Sequence, residues 1–119
     1  MTFHHTITFF LSSASLVPYL AQDMLSTIKT CIKPDGCPYI RSITSGVGRQ
    51  VSSGSGDGVA RVVFILGFEN SDDLKYFVNE DSSHIMFKTR CETELGVMKV
   101  ETTTFEDAVY QTARSLSVL

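Results

Sequence analysis

Ala60-Arg-Val-Val-Phe-Ile-Leu-Gly-Phe-Glu-Asn-Ser-Asp-Asp-Leu-Lys-Tyr-Phe77 reads as a buried strand, a polar turn and a short capped helix. Residues Ala60 to Phe68 are apolar on both faces, so something must cover each side of that strand. Ser71, with Asp72 and Asp73, opens the helix, where acids suit the positive end of the helix dipole. Leu74, Phe77 and Val78 form its inner face. After Asp81-Ser82-Ser83, a second helical stretch is expected from His84 to Glu94, stopping at Gly96, and Val97 to Thr102 supplies another strand.

Working toward the N-terminus, residues 3 to 11 alternate. Phe3, His5, Ile7, Phe9 and Leu11 share one face of a strand; His4, Thr6, Thr8 and Phe10 share the other. Ser15 then caps a helix in which Leu16, Leu20, Met24, Ile28 and Ile32 recur every four residues, with Ala21 and Leu25 widening the stripe. Pro18 falls in its first turn, where a missing N–H costs nothing, and Pro34-Asp35-Gly36 ends it. Tyr39 to about Ser45 is a further strand, punctuated by Gly46. Ser52 to Gly58 is a flexible loop, and residues 105 to 116 have the pattern of a C-terminal helix.

The order β-α-β-β-α-β is that of an α+β, ferredoxin-like domain: a four-stranded antiparallel sheet with helices on one face. Residues 1–104 form the domain and 105–119 a helical extension. The other sheet face is left open, and Phe10, Val63 and Ile65 place an apolar patch there that a partner should bury.

With 10 Lys+Arg against 13 Asp+Glu, the net charge is −3 and no basic run exists. That argues against a nucleic-acid partner, which needs clustered cations to neutralise phosphate. The apolar runs are too short to span a bilayer. Cys31, Cys37 and Cys91 form no Cys-x-x-Cys pair, so a reduced, cytoplasmic setting is expected. His4 and His5 are adjacent on a strand and point apart, so they cannot share a metal ion, and neither glycine cluster has a nucleotide-loop pattern. No metal and no cofactor is expected.

Phe68-Glu69-Asn70-Ser71, the acidic helix start and His84 resemble the second half of the dimeric α+β barrel family in its stress-responsive A/B barrel branch. There a strand ending in Phe-Glu-Ser runs into an acidic-capped helix and a His-Pro-Ala-His turn. The resemblance covers about 100 residues and implies a homodimer, sheet against sheet, with a pocket between sheet and helices. In the family's plant polyketide cyclase, which makes olivetolic acid, a first-strand histidine and the histidine after the second helix line that pocket; His5 and His84 match them. The tyrosine that partners the second histidine falls here at Phe77, with Tyr76 one residue away, and a third-strand pocket histidine is replaced by Val62.

The resemblance therefore implies a more apolar pocket, with His84 as general acid/base, His5 orienting a substrate oxygen, and Ile7, Phe9, Val62, Phe64, Tyr76 and Phe77 as walls. A histidine titrating near neutrality can move a proton next to a carbonyl, which suffices for cyclisation, isomerisation or dehydration of a polyketide-like molecule. The alternatives are a non-catalytic stress-responsive dimer that binds a hydrophobic ligand or only itself, and a cofactor-free or haem-using monooxygenase of the wider superfamily, for which no haem signature is present.

Overall fold

The computed structural model describes residues 2–48 and 60–107. Strand β1 (Phe3–Leu11) leads through a single 3-10 turn (Ala14–Leu16) into helix α1 (Val17–Thr30). Strands β2 (Ile40–Gly48) and β3 (Ala60–Phe68) follow, then helices α2 (Ser71–Asn79) and α3 (Ser82–Thr93), and finally strand β4 (Val97–Glu106). The sheet is antiparallel with order β2-β3-β1-β4, so the two central strands are the ones most apolar in sequence.

Register decides which side chains meet. His5 lies opposite Leu66 on one side and Thr104 on the other, so Ile7, Phe9, Val62, Phe64, Val100 and Thr102 all face the helices. The core there contains Phe9, Leu11, Leu20, Met24, Phe64, Leu66, Phe68, Phe77 and Phe87, all buried. One irregularity matters below: Phe10 pairs with Lys99 but Leu11 pairs with Val97, so Met98 bulges out of β4 and is exposed.

Several expectations are corrected by packing. Ser13, not Ser15, caps the 3-10 turn, and α1 has no side-chain cap. Its buried stripe is narrower than the four-residue repeat suggested: Leu20, Met24 and Thr27 are buried, whereas Leu25 is exposed and Ile32 lies beyond the helix, paired with Pro38. The side chain of Asn70 caps α2 by accepting from the Asp73 N–H, and α3 starts two residues before His84. Gly46 does not end β2, which continues to Gly48 opposite Arg61. Strand β4 runs past Thr102 to Glu106, so Phe105 and Glu106 are strand and Asp107 follows them outside any helix; positions 108–116 of the expected C-terminal helix and the loop Ser52 to Gly58 lie outside the described residues.

Two features fix the C-terminal end of helix α3. Arg90 donates from Nε and Nη2 to the two carboxylate oxygens of Asp23 on α1, both at 2.8 Å. At its C-terminus Gly96 adopts a left-handed backbone (φ +65°) with the space for a Cβ already filled by the Leu16 side chain, so no other residue makes this turn without strain.

Candidate functional site

His5 and His84 are brought together at one cavity of about 240 Å³. It lies where the β1–β4 side of the sheet faces α3 and the end of α2. Ile7 and Phe9 from β1, with Val97, Val100 and Thr102 from β4, make the sheet wall. The helix wall carries Val78 from α2 and Phe87, Lys88, Cys91 and Glu92 from α3.

Each imidazole is held differently. The ring of His5 is hydrogen-bonded from Nδ1 to the Thr104 hydroxyl at 3.0 Å, a direct result of their pairing across β1 and β4. His84 sits in the first turn of α3 and stacks on the Phe77 ring at 3.9 Å, with Phe87 beyond at 6.3 Å. Phe77 also meets the edge of His5 at 6.2 Å, so one phenyl ring orients both histidines. The Nδ1 atom of His84 is buried and has no hydrogen-bond partner. Asp81 fixes the backbone beneath it: one carboxylate oxygen accepts from the Ser83 and His84 N–H groups, and the other accepts the buried Tyr39 hydroxyl.

Electrostatics keep both rings neutral. Burial, then the nearby Lys88 ammonium, lowers the pKa of His5 below its ordinary 6.5. For His84 burial, Lys88 and His5 together lower it to about 4, against a smaller opposing pull from Asp81. Cys91, although it lines the cavity, is a thiol rather than a thiolate, because burial pushes its pKa up to about 12. The site thus offers imidazoles and no activated sulfur nucleophile. Among the described residues no group of three or more His, Cys, Asp or Glu could hold a metal ion.

This protonation pattern has a stability consequence. The unfolded chain protonates His84 near pH 6.5 while the folded chain resists until about pH 4, so between those values the unfolded state binds more protons. Stability should therefore fall as pH drops from about 6.5 to 4 by on the order of 2–3 kcal/mol from this residue. His5 adds a contribution of the same sign. Urea unfolding over this pH range should show a shallower slope for His84→Gln; an unchanged slope would contradict the neutral, buried ring.

Of the residues expected at the site, Ile7 and Phe9 join the two histidines in lining the cavity. Val62 and Phe64 are buried in the core and do not line it. Phe77 supports the rings from behind. Tyr76 turns elsewhere, its ring against Tyr39 and its hydroxyl 3.5 Å from the Ile32 carbonyl. The α3 wall was missed, yet His84, Phe87, Lys88, Cys91 and Glu92 are spaced 0, 3, 4, 7 and 8, one face of a helix. His4 points to the opposite sheet face, stacked on Phe105 and bonded to Asp107.

No family model matches the sequence, and no curated protein matches it. Solved structures do match the fold. One from Mesorhizobium loti, a Dabb family protein with a ferredoxin-like fold, is 16% identical over 91% of this chain and 98% of its own, with a TM-score of 0.57. The chain has the ferredoxin-like fold. Two plant proteins superpose on this ferredoxin-like chain more closely. A protein of Arabidopsis thaliana is 12% identical over 93% of this chain and 99% of its own, TM-score 0.67. The hydroxynitrile lyase of Passiflora edulis is 12% identical over 92% of this chain and 96% of its own, TM-score 0.63. At these identities the likeness concerns the ferredoxin-like backbone, and chemistry must be argued from side chains.

Proposed function

We propose that the protein is a small-molecule enzyme of the cyclase, isomerase or lyase type, working by imidazole acid–base chemistry and without a cofactor. The observation that carries this is a mostly apolar cavity lined by two buried, neutral imidazoles that share one Phe77 platform. A neutral imidazole accepts a proton from a carbon next to a carbonyl, or from the hydroxyl of an α-hydroxy nitrile. In the first case the enol closes or isomerises and the proton returns. In the second, the carbon–carbon bond to the nitrile breaks, the oxygen becomes a carbonyl, and cyanide takes the proton. The low pKa of His84 favours the return step, since the imidazolium it forms is a strong acid.

In this reading the chain is a relative of the stress-responsive A/B barrel proteins and, distantly, of the olivetolic acid cyclase. The Mesorhizobium and Passiflora neighbours support it. Exposing the protein in deuterated buffer to benzoylacetone, and separately to mandelonitrile, tests it. Protein-dependent deuterium uptake or benzaldehyde release is expected, and both should vanish in the His5→Ala/His84→Ala double variant. If neither compound reacts faster than in buffer, the catalytic reading fails. The second reading, a dimer that only binds a hydrophobic ligand, is favoured by the same low pKa, because it makes His84 a weak base.

We also infer that two copies pair through the open sheet face. Among the described residues the helices pack on the other face, and Phe10, Val63 and Ile65 are only half-buried. The Phe10 ring is flanked by Arg61 and Lys99, each 5.2 Å from its centre, which makes the patch narrower and more polar at its rim than its apolar residues suggest. Replacing Val63 and Ile65 with Asp would put two carboxylates into the interface, so monomer or insoluble protein is expected. Sedimentation of the wild type as a monomer at micromolar concentration would reject the pairing. A cytoplasmic setting belongs to the same reading and fits the three free thiols. Among the described residues no helix is long and apolar enough to cross a membrane.

A further inference from the structure

The His84 imidazole has no tether of its own: its buried Nδ1 lacks a hydrogen-bond partner, whereas the ring of His5 is tied to Thr104. Its place is set from elsewhere, and two routes lead to it from Tyr39. The first is hydrogen-bonded. The buried Tyr39 hydroxyl donates to one carboxylate oxygen of Asp81, and the other oxygen accepts from the backbone N–H of Ser83 at 2.9 Å and of His84 at 3.3 Å. The second is made of rings. Tyr39 stacks on Phe68 at 6.1 Å, Phe68 packs on Phe77 at 5.5 Å, and Phe77 carries the His84 ring at 3.9 Å. One route holds the backbone of His84, the other the plane of its ring. Together they close a circuit of five side chains that joins the residue before β2, the end of β3, α2, the turn before α3 and α3 itself.

Packing alone does not ask for this circuit. At position 39 a phenylalanine fills the same space without a hydroxyl that must find an acceptor, and at position 81 a serine or asparagine caps a helix as well as an aspartate does. Here the tyrosine is 3% exposed and the aspartate 2%, so both polar groups have left water and their bond must offset that cost. Cys31, which ends α1, stands beside them as a neutral thiol, its pKa pushed up to about 12 by burial and then by Asp81. A buried polar network whose members are all satisfied holds the chain in one arrangement. An acid–base group depends on such placement, because a displacement of about 1 Å costs on the order of 10²-fold in rate.

We propose that Tyr39 is a positioning residue for His84, holding the imidazole at the cavity through its bond to Asp81 although it does not itself line that cavity. This rests on the reading of His84 as the acid–base group.

Three variants separate placement from stability. Tyr39→Phe keeps the ring contacts and breaks the bond to Asp81. Asp81→Asn keeps both ends of the link, since its amide oxygen still caps α3 and its N–H₂ donates to the Tyr39 oxygen. Asp81→Ser combined with Tyr39→Phe keeps the cap, buries no unpaired hydroxyl and removes the link. Proton NMR of the resting protein reads the outcome without any substrate: the carbon-bound ring protons of His84 lie over the face of Phe77 and are shifted upfield, and comparison with His84→Gln assigns them. Tyr39→Phe and the double variant should move these signals toward their free-histidine positions, and Asp81→Asn should leave them in place. His4, on the opposite sheet face, should be unmoved in all three. On whichever compound reacts, kcat should fall about tenfold or more in Tyr39→Phe and in the double variant, with KM within about threefold, and stay near wild type in Asp81→Asn. Unmoved His84 signals in Tyr39→Phe, or an unchanged kcat where they do move, overturn the proposal; so does a loss in Asp81→Asn equal to that in Tyr39→Phe. If no compound reacts, the catalytic reading fails by itself, and the ring signals still decide whether Tyr39 places the imidazole.

Discussion

His84→Ala should lower turnover about 10²–10⁴-fold while leaving ligand affinity within about an order of magnitude, the signature of a lost proton-transfer group rather than a lost contact. The size follows from its surroundings. His84 has a buried ring on a phenyl platform, and Cys91, two turns along the same cavity wall, is held as a thiol, so no activated sulfur takes over its role. His5→Ala should act more on substrate binding and orientation, because its ring is tethered to Thr104. Tyr76→Phe should be silent, since that hydroxyl faces the Ile32 carbonyl. Steady-state kcat and KM on whichever substrate class reacts check all three. Conversion by His84→Ala at the wild-type rate would leave the cavity a binding or shape-templating site.

The second large effect belongs to Asp81, which is 2% exposed and does not line the cavity. Its removal uncaps α3, at about 1–2 kcal/mol, and leaves the buried Tyr39 hydroxyl without its acceptor, at about 1–3 kcal/mol. Relief of the buried carboxylate's own desolvation offsets part of this, so Asp81→Ala should destabilise the fold by about 3 kcal/mol in chemical denaturation. Tyr39→Phe should cost less, and the double variant less than the sum of the two, because both act on one hydrogen bond. Strict additivity would mean that the two side chains do not interact in solution.

Much of the fold was legible because β1 and β3 state their faces plainly. Alternation placed Phe3 to Leu11, and a continuous apolar run placed Ala60 to Phe68, with the bounds found in the structure. The two histidines were legible through the resemblance. The α3 wall was not, for a physical reason: a helix that lines a polar-tipped cavity puts His84, Lys88 and Glu92 on its inner face, so no apolar stripe announces it. Leu25 misled in the opposite sense, completing a stripe that α1 does not bury. The Tyr39–Asp81 bond joins residues 42 positions apart, and no local pattern encodes it. Tyr76 and Phe77 show the limit of aligning helices by motif alone, because one residue of rotation separates a ring packed on Tyr39 from the ring on which His84 stacks.

The bulge at Met98 makes the chemistry of the cavity depend on chain length. Because one residue is looped out there, Val97 and Val100, three positions apart, both face the helices. Loss of Met98 would straighten β4. A further residue inserted directly after Val100 would turn Glu101 and Thr103 inward in place of their neighbours and move the partner of His5 to the outer face. In such a strand, insertions and deletions of a single codon are a way to exchange one lining for another without altering any core helix. Divergent descendants of this chain can therefore be expected to differ first in the length of β4.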